Sequence, residues 1–336
     1  MELNRFMKFF PHGNLSWAVT QNSPGIYELL CIDSPTDKLI SGKVLIQIEY
    51  SSLNYKDALS VLGKNGETRD YPQIIGLDLV GIVKESYDPK FKAGTKVARF
   101  SRGLGTTSGG GMAHFITSDT EHLIRIPEST SPQLVMAIGT AGLTAAACVA
   151  QILKEQVDPG SGSILITGAG GGVGKIALLM LSKLGYKTVA ATRGGTFTES
   201  NPQRVIPPLK PTNFQMLPEK WVAVIDTLGG NSLATAIKST QRGGAVISVG
   251  NIESPNLNLN ISPFVLRGVK LIGINLDLYK REEIEKFLVS ITSILNMEDF
   301  TGITRIIEFD EVPYFVNLMS QGKHSGRTVV KISSIS

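Results

Sequence analysis

Cysteine is scarce in this sequence: the 336 residues include only two, Cys31 and Cys148, and neither belongs to a Cys-x-x-Cys pair. Two isolated cysteines cannot form the disulfide framework on which many small secreted domains depend. We therefore interpret both as reduced thiols and predict a cytoplasmic protein.

An excess of charge of one sign is also absent. The chain has 33 Lys and Arg residues against 29 Asp and Glu residues, a net charge of +4, and no long basic run. A protein that binds nucleic acid usually presents a strongly basic face. This composition therefore argues against a nucleic-acid partner.

Long, strongly apolar runs are missing too. Residues Met1–Gly13 contain no apolar region of the length that a signal peptide needs. The longest uncharged stretch, Ser129–Leu153, is rich in alanine and is interrupted by proline, glycine and threonine, whereas a membrane span takes about 20 strongly apolar residues. We predict a buried helix in this stretch and no membrane partner.

Glycine, by contrast, is abundant, with 35 residues, and 42% of the chain is apolar. A chain of this length and composition is expected to fold into two domains, at roughly 100–200 residues each. The first third alternates short apolar runs with turns. It predicts a β-rich, barrel-like domain with strands at Val44–Tyr50, Leu79–Lys84 and Lys96–Phe100.

From Gly139 onward the pattern changes to strands that alternate with helices. A helix at Thr140–Gln156 comes first. Helices at Val173–Leu184 and Ser232–Thr240 are then interleaved with strands at Ile164–Ile166, Thr188–Ala191, Val222–Asp226, Ala245–Gly250 and Val269–Asn275. This alternation is typical of a doubly wound parallel α/β sheet.

The C-terminal part returns to mixed character, with a helix at Glu282–Leu295, a strand at Ile303–Phe309, a helix at Val312–Gln321 and a strand at Thr328–Ile332. The β-rich part therefore brackets the parallel sheet. We predict a first domain that comprises residues 1–138 and 276–336, with the parallel-sheet domain at residues 139–275.

A glycine-rich turn, Thr167–Gly174, lies between a predicted strand and a predicted helix. The dinucleotide pattern Gly-x-Gly-x-x-Gly maps onto Ala169, Gly171 and Gly174, with alanine at its first position. Backbone N–H groups of such a turn approach a pyrophosphate at the positive end of the helix. The predicted cofactor contacts are Ala169, Gly170, Gly171, Gly172, Val173 and Gly174.

Two alternatives compete with this interpretation of the turn. The nucleoside-triphosphate pattern Gly-x-x-x-x-Gly-Lys-[Ser/Thr] would use Gly174-Lys175, but its first glycine would be Ala169 and its Ser/Thr would be Ile176. Two mismatches argue against it. The other alternative, a turn that serves only helix–strand packing, stays open.

The second strand of the predicted sheet ends at Thr192-Arg193, where a site for NADH would place an acidic residue against the ribose hydroxyls. Arg193 can instead pair with a 2′-phosphate, and Arg204 is a second candidate for the same contact. We therefore predict NADPH as the cofactor, with a solvated surface arginine as the alternative.

Three further segments, Ser51–Leu59, Pro72–Gly81 and Gly139–Ala145, together with the glycine turn, resemble the medium-chain dehydrogenase/reductase superfamily. The similarity extends from about Val44 to Lys331 and is greatest to the zinc-independent branch of acrylyl-CoA reductases and quinone oxidoreductases. It implies a Rossmann cofactor domain and a β-rich, GroES-like catalytic domain built from both ends of the chain.

Zinc-containing relatives place a cysteine ligand near Asn54–Asp57 and a Gly-His-Glu triplet near Gly76–Asp78. This chain has neither, and its four histidines show no metal-ligand spacing. We predict that it has no metal site.

The resemblance places Asn54, Tyr55 and Asp57 beside the nicotinamide. The Tyr55 hydroxyl and the Asn54 amide can donate hydrogen bonds to a carbonyl oxygen, while Asp57 is better suited to orienting its neighbours. For Asp57, and more strongly for Asp78, a turn or capping carboxylate is the alternative.

The resemblance also implies cofactor contacts from Tyr55 and from five other residues, each of which packing or a surface role could explain equally well. These are Gly250, Asn251, Phe264, Asn275 and Arg327.

Two segments depart from the family pattern. Between Arg193 and Arg204 the chain is short and contains Gly194, Gly195 and Pro202, so a crossover helix is expected to be missing. The loop Gly103–Gly111 lacks the tryptophan of the branch, and we expect it to border the substrate.

These observations favour an NADPH-dependent, zinc-independent reductase of quinones or of C=C bonds conjugated to a carbonyl, acting on a small electrophilic molecule. Relatives are often dimers, and the predicted strand Val269–Asn275 offers a sheet edge for a homodimer. The alternative is a non-catalytic NADPH-binding protein that senses redox state or binds a partner.

Overall fold

The structure is a computed structural model that describes residues 13–34, 43–64, 68, 70–194, 197 and 202–332. It divides into two compact units. The first unit comprises Met1–Thr140 and Thr304–Ser336, and the second comprises Ala141–Ile303. His12 and nearly all of the N-terminal stretch that was tested for a signal peptide lie outside the described residues.

The strands are, in chain order, β1 (Leu15–Ser23), β2 (Ile26–Asp33), β3 (Lys43–Leu53), β4 (Gln73–Ile74), β5 (Asp78–Ser86), β6 (Lys96–Phe100), β7 (Phe115–Asp119), β8 (Ile124–Arg125), β9 (Ser163–Thr167), β10 (Lys187–Ala191), β11 (Arg204–Ile206), β12 (Trp221–Asp226), β13 (Thr240–Ser248), β14 (Lys270–Gly273), β15 (Thr304–Glu308) and β16 (Arg327–Lys331). The α-helices are α1 (Tyr55–Val61), α2 (Pro132–Lys154), α3 (Gly172–Lys183), α4 (Gly230–Lys238), α5 (Ser262–Arg267), α6 (Arg281–Ile294), α7 (Met297–Thr301) and α8 (Val312–Ser320).

The first unit is β-rich, as the sequence predicts. Its larger sheet has the order β15-β16-β3-β5-β6-β8, with β7 also paired to β3, and a smaller sheet has the order β2-β1-β4. Strand β16 pairs with β3, where Thr328 lies opposite Leu53, 275 positions away in the sequence. Both ends of the chain therefore build one core.

The second unit contains a parallel sheet with the order β11-β10-β9-β12-β13-β14. Counted within this unit the order is 3-2-1-4-5-6, which is that of a doubly wound dinucleotide-binding fold. The predicted fold class is thus confirmed for the sheet. The central strand β9 is an apolar run because both faces of a parallel sheet are covered.

The crossover from β10 to β11 differs from the usual α/β unit. Among residues 192–194, 197 and 202–203, the described part of this connection, there is no helix. The other six residues of the connection, Gly195 among them, lie outside the described part of the chain, so the loss of a crossover helix stays a prediction.

The domain boundaries differ from the predicted ones. The units divide at 140/141 and 303/304, whereas the sequence predicts divisions at 138/139 and 275/276. Residues 276–303 group with the second unit, in which Lys183 of α3 and Asp299 of α7 form an ion pair whose charged atoms are 2.9 Å apart.

Helix α2 begins at Pro132, eight positions before the predicted start at Thr140. The local pattern obscured this start because Gly139 has non-helical backbone angles and divides the helix. Among the described residues, α2 is the one helix long and apolar enough to span a membrane, and 78% of its apolar window is buried inside the fold.

Candidate functional site

The glycine turn of the second unit joins β9 to α3, as predicted, and Gly171 is the N-cap of the helix. A Cβ atom on Gly174 would lie 2.7 Å from the Cα of Ala169 and 2.8 Å from the carbonyl oxygen of Gly168. Only glycine permits this approach of the helix to the backbone before it. The first turn of α3 is therefore held directly against the end of β9.

This turn has the form that a dinucleotide pyrophosphate requires. The first N–H groups of a helix have no acceptor within the helix, and together with the helix dipole they attract an anion. Gly170, Gly171 and Gly172 carry no side chain and are half-buried, and Ala169 is fully buried. The residues present thus fit the phosphate-binding part of a nicotinamide dinucleotide.

Thr192 and Arg193 follow the carboxyl end of β10. The Thr192 hydroxyl donates to the carbonyl oxygen of Gly194 at 2.6 Å, and its N–H donates to that of Ile206 at 3.1 Å. Arg193 is exposed beyond the strand. Thr192 therefore fixes the backbone from which Arg193 projects.

Arg204 lies at a different level of the sheet. It is the first residue of β11 and pairs with Val189, four positions before Arg193 along β10. Four residues of strand span about 13 Å. The structure therefore places the two arginines at different heights along β10.

The candidate residues of the first unit surround a buried ion pair between Arg327 and Asp78. Arg327 is 3% exposed and Asp78 is fully buried, and the Arg327 Nη2 and Asp78 Oδ2 atoms are 3.7 Å apart. Asp78 also accepts hydrogen bonds from Ser52 Oγ at 2.5 Å and from Thr140 Oγ1 at 2.6 Å. Asp78 is thus the central acceptor of this unit, rather than a turn carboxylate.

All five N–H donors of Arg327 are used inside the unit. Nε donates to the carbonyl oxygen of Ala137, Nη1 to Leu53 O and Asn54 Oδ1, and Nη2 to Ser52 Oγ and Met136 O, at 2.7–3.2 Å. A guanidinium group has no further donor. The buried network thus engages the whole guanidinium group, and the direct contact of Arg327 with the cofactor stays a prediction.

The same network engages both polar atoms of the Asn54 side chain. Its Nδ2 donates to Asp78 Oδ2 at 2.8 Å and to the carbonyl oxygen of Ser52 at 3.3 Å, while its Oδ1 accepts from Arg327. Because arginine only donates and a carboxylate accepts, the amide orientation is fixed. Both amide hydrogens are engaged inside the first unit, and donation from Asn54 to a substrate oxygen stays a prediction.

Asp57 is fully buried in the first turn of α1. Its Oδ2 accepts from the N–H of Asn54 at 2.7 Å, and its Oδ1 accepts from the N–H of Gly76 at 2.8 Å. Burial raises the pKa of Asp57 to about 7, against the opposing effect of these two hydrogen bonds. The carboxyl group joins the start of α1 to the loop before β5, in keeping with the orienting and capping roles that the sequence left open.

Tyr55 is the first residue of α1, directly after the fixed Asn54. Its half-buried ring packs against the core of the first unit. Among the residues that the structure describes, the Tyr55 hydroxyl has no hydrogen-bond partner. It therefore differs from Asn54 and Asp57, whose polar atoms are occupied.

The other predicted contacts lie in the second unit, away from the glycine turn in sequence. Phe264 of α5 packs against the hydrophobic core, and Asn275 caps a short 3-10 helix by accepting from the N–H of Asp277 at 3.1 Å. Gly250 and the exposed Asn251 follow β13. Phe264 and Asn275 thus have local structural roles of their own.

Sequence reasoning missed the contribution of three residues to the buried network. The hydroxyl groups of Ser52 and Thr140 donate hydrogen bonds to Asp78. Gly139 leaves space for the ion pair itself, since a Cβ atom at this position would lie 2.5 Å from Arg327 Nη2 and 2.6 Å from Asp78 Oδ2. A signal was present in the Gly139-Thr140 pair, whose glycine interrupts an otherwise apolar helix.

Hydrogen bonds connect the loop Gly103–Gly111 to β4 and to the residues between β4 and β5. Gly111 N–H donates to Gly76 O at 2.8 Å, and Gln73 Nε2 donates to Ser108 O at 2.7 Å.

The described residues contain no group of three or more His, Cys, Asp or Glu side chains arranged to hold a metal ion.

Comparisons with known proteins agree with this architecture. The family model for the alcohol dehydrogenase GroES-like domain matches residues 40–128. The chain is 33% identical over 301 residues to "Probable acrylyl-CoA reductase AcuI" of Escherichia coli (strain K12), covering 88% of this chain and 93% of that protein. It is 32% identical over 309 residues to "Putative quinone oxidoreductase YhfP" of Bacillus subtilis (strain 168), covering 88% and 92%.

Solved structures show the same likeness. The crystal structure of E. coli K-12 YhdH with bound NADPH has a TM-score of 0.87 at 31% identity, covering 94% of this chain and all of that one. That of B. subtilis YhfP with NAD bound has a TM-score of 0.86 at 31% identity, covering 95% and 99%. With both domains and the sheet order in place, this chain belongs to the medium-chain dehydrogenase/reductase superfamily, in the branch of acrylyl-CoA reductases and quinone oxidoreductases.

Proposed function

We propose that this protein is an NADPH-dependent reductase of quinones or of C=C bonds conjugated to a carbonyl group. The observation that carries the proposal is the glycine turn between β9 and α3, whose close packing at Gly174 leaves a bare, anion-attracting backbone. The acrylyl-CoA and quinone reductases among its relatives support the reaction class.

The residues that would hold NADPH lie at two places in the second unit. The backbone from Ala169 to Gly174 would bind the pyrophosphate, and Thr192 and Arg193 would bind the adenosine ribose with its 2′-phosphate. An arginine suits this phosphate because its contact is charge-assisted, and the two positions directly after β10 are Thr192 and Arg193 rather than an acidic residue.

When bound, NADPH supplies a hydride to an electron-poor carbon. The task left to the protein is to stabilise the negative charge that then develops on the conjugated oxygen. We assign this role to the Tyr55 hydroxyl, because the amide hydrogens of Asn54 are committed to Asp78 and Ser52. Asn54, Asp57 and Arg327 serve as positioning residues that fix the start of α1.

We also propose that the reaction proceeds without zinc, in the cytoplasm and in a homodimer. The buried carboxylates of Asp57 and Asp78 are consumed by hydrogen bonds and are poor ligands for an ion. Strand β14 lies at the edge of the parallel sheet and exposes Leu271 by 40%, which offers an edge for pairing with a second copy.

The test is NADPH oxidation by the purified protein with a quinone, an enone and acrylyl-CoA as separate substrates, and with NADH as the control cofactor. We expect turnover with at least one class and a preference for NADPH. A protein that binds NADPH but oxidises it with none of the three would contradict the proposal and favour the non-catalytic alternative.

Tyr55→Phe tests the assignment of the donor. Loss of one hydrogen bond to an oxyanion lowers kcat by about 10²–10³-fold, and we expect a fall of this order with an unchanged dissociation constant for NADPH. The matched control is Tyr87→Phe, which removes a hydroxyl from an exposed ring of the same unit. Equal kcat values for the two variants would refute the assignment.

A further inference from the structure

Lys175 is a buried lysine to which the described part of the chain supplies no anionic partner. It lies in the first turn of α3, directly after Gly174, and is only 5% exposed. Among the described residues its Nζ has no ion pair or hydrogen bond; it lies over the face of the Phe197 ring, 5.9 Å from the ring centroid. The sequence singled out Lys175 only as part of a nucleoside-triphosphate pattern that fails.

The physical environment of this ammonium group is unfavourable in two ways. Burial removes it from water and lowers the pKa of Lys175. The first turn of a helix carries partial positive charge, which repels a cation. The contact with Phe197 offsets only part of this, since a cation–π interaction contributes about 0.5–2 kcal/mol. An anion bound beside the Nζ atom would offset both disadvantages.

The direction of the side chain indicates which anion. Phe197 belongs to the connection that follows β10, four positions after Arg193. The Nζ atom therefore points away from the axis of α3 toward the segment that carries Arg193. In a doubly wound fold, the end of the second strand is where the adenosine ribose binds, whereas the pyrophosphate binds at the helix N-terminus itself.

We propose that Lys175 binds the 2′-phosphate of NADPH and, together with Arg193, determines the preference for NADPH over NADH. The inference rests on the proposed function, since it presupposes a nicotinamide dinucleotide at the glycine turn. Among the described residues between β10 and β11, Phe197 is the one whose ring lies beside the Lys175 Nζ atom.

The experiment compares Lys175→Met with the unchanged protein by isothermal titration calorimetry. The probes are NADP⁺, NAD⁺, adenosine 2′,5′-bisphosphate and ADP, which separate the 2′-phosphate from the pyrophosphate. We expect the dissociation constants of NADP⁺ and of the 2′,5′-bisphosphate to rise about tenfold or more, a loss of about 1.4 kcal/mol. Those of NAD⁺ and ADP are expected to change less than about twofold, which is within about 0.4 kcal/mol.

Lys187→Met is the matched control, because Lys187 is an exposed lysine at the opposite end of β10. It is expected to bind all four probes as the unchanged protein does. Lys175→Arg keeps the charge and is expected to retain the preference for NADP⁺. Lys175→Gln repeats the test with a neutral polar side chain if Lys175→Met does not fold.

Equal weakening of NADP⁺ and NAD⁺ would overturn the inference and assign Lys175 to the pyrophosphate. Unchanged affinities for all probes would overturn it in favour of a packing role. Both outcomes leave the proposed function intact, whereas an unchanged protein that binds neither dinucleotide would overturn the proposed function as well.

Discussion

The two units of this protein solve the problem of buried polar groups in opposite ways. In the first unit, Arg327 and Asp78 satisfy their hydrogen bonds through side chains and carbonyl groups that surround them on every side. In the second unit, the glycine turn has few side chains, and the nearby Lys175 lacks an anion among the described residues. The polar groups of the first unit are satisfied by the protein itself, whereas we propose that those at the glycine turn are satisfied by a bound ligand.

This difference shows where to look for chemistry in each unit. For the closed network, we propose that the functional group is the one that the network leaves out, the Tyr55 hydroxyl. For the open turn, we propose that it is Lys175, whose Nζ has no ion pair or hydrogen bond among the described residues. Candidate residues are therefore better judged by their hydrogen-bond partners than by their position in a family motif.

Removing Arg327 should have the largest effect on stability, because it breaks the closed network at its centre. Arg327→Met leaves the buried Asp78 carboxylate without its counter-charge, and loss of one partner of a buried ion pair costs about 3–5 kcal/mol. We expect the free energy of unfolding of the first unit, measured by urea denaturation, to fall by this amount.

Arg305→Met provides the control, since Arg305 lies on the neighbouring strand β15 but is exposed. It should change the free energy of unfolding by less than about 1 kcal/mol, in line with the weak contribution of its exposed cation–π contact with Phe315. If the free energy of unfolding falls by the same amount in both variants, the hydrogen-bond network around Arg327 does not stabilise the first unit.

Adding a side chain to the glycine turn should have the next largest effect. It should weaken the binding of NADPH and leave the network around Arg327 unchanged. In Gly174→Ala the new Cβ meets the backbone of Ala169 and Gly168, and overpacking of this kind costs about 1–3 kcal/mol. We expect the dissociation constant of NADPH, measured by fluorescence titration, to rise by about 10- to 100-fold.

Gly160→Ala is the matched control, because a Cβ at Gly160 meets no atom within 4 Å. Its affinity for NADPH should equal that of the unchanged protein. Unaltered affinity in Gly174→Ala would show that the turn tolerates a side chain and would remove the observation on which the proposed function rests.

The sequence predicts the open turn well and the closed network poorly, for a physical reason. The turn is local: a buried apolar strand, glycines and an amphipathic helix follow one another within about 20 residues, so their pattern is visible in the chain. Arg327 and Asp78 lie 249 positions apart (327 − 78). No local pattern indicates that they meet, and Asp78 alone resembles a turn residue.

The same reason explains the errors in the elements. Strand β11 has three residues at a sheet edge, two of them exposed, and thus too little apolar periodicity to be recognised. The first domain resumes at residue 304 rather than 276 because the docking of α7 on α3 depends on a contact between distant residues, Lys183 and Asp299. Contacts between residues distant in sequence thus determine unit boundaries that local sequence patterns do not indicate.

The smallest expected effect concerns the pH dependence of the closed network. Because burial raises the pKa of Asp57 to about 7, the folded protein binds a proton between pH 4 and 7 that the unfolded chain has released. The stabilisation is therefore complete below the unfolded pKa of about 4 and is lost as the pH rises through 7. At most one proton is involved, so the slope is at most about 1.4 kcal/mol per pH unit.

Asp57→Asn stays neutral at every pH, and its free energy of unfolding should fall less steeply between pH 5 and 7 than that of the unchanged protein. Urea denaturation at several pH values measures this slope, and the exposed carboxylate variant Asp310→Asn should reproduce the original one. A variant Asp57→Asn with the original slope would show that the two N–H bonds from Asn54 and Gly76 keep the carboxylate ionised. In that case the first unit would contain a permanent negative charge beside Asp78, and Arg327 would balance two carboxylates instead of one.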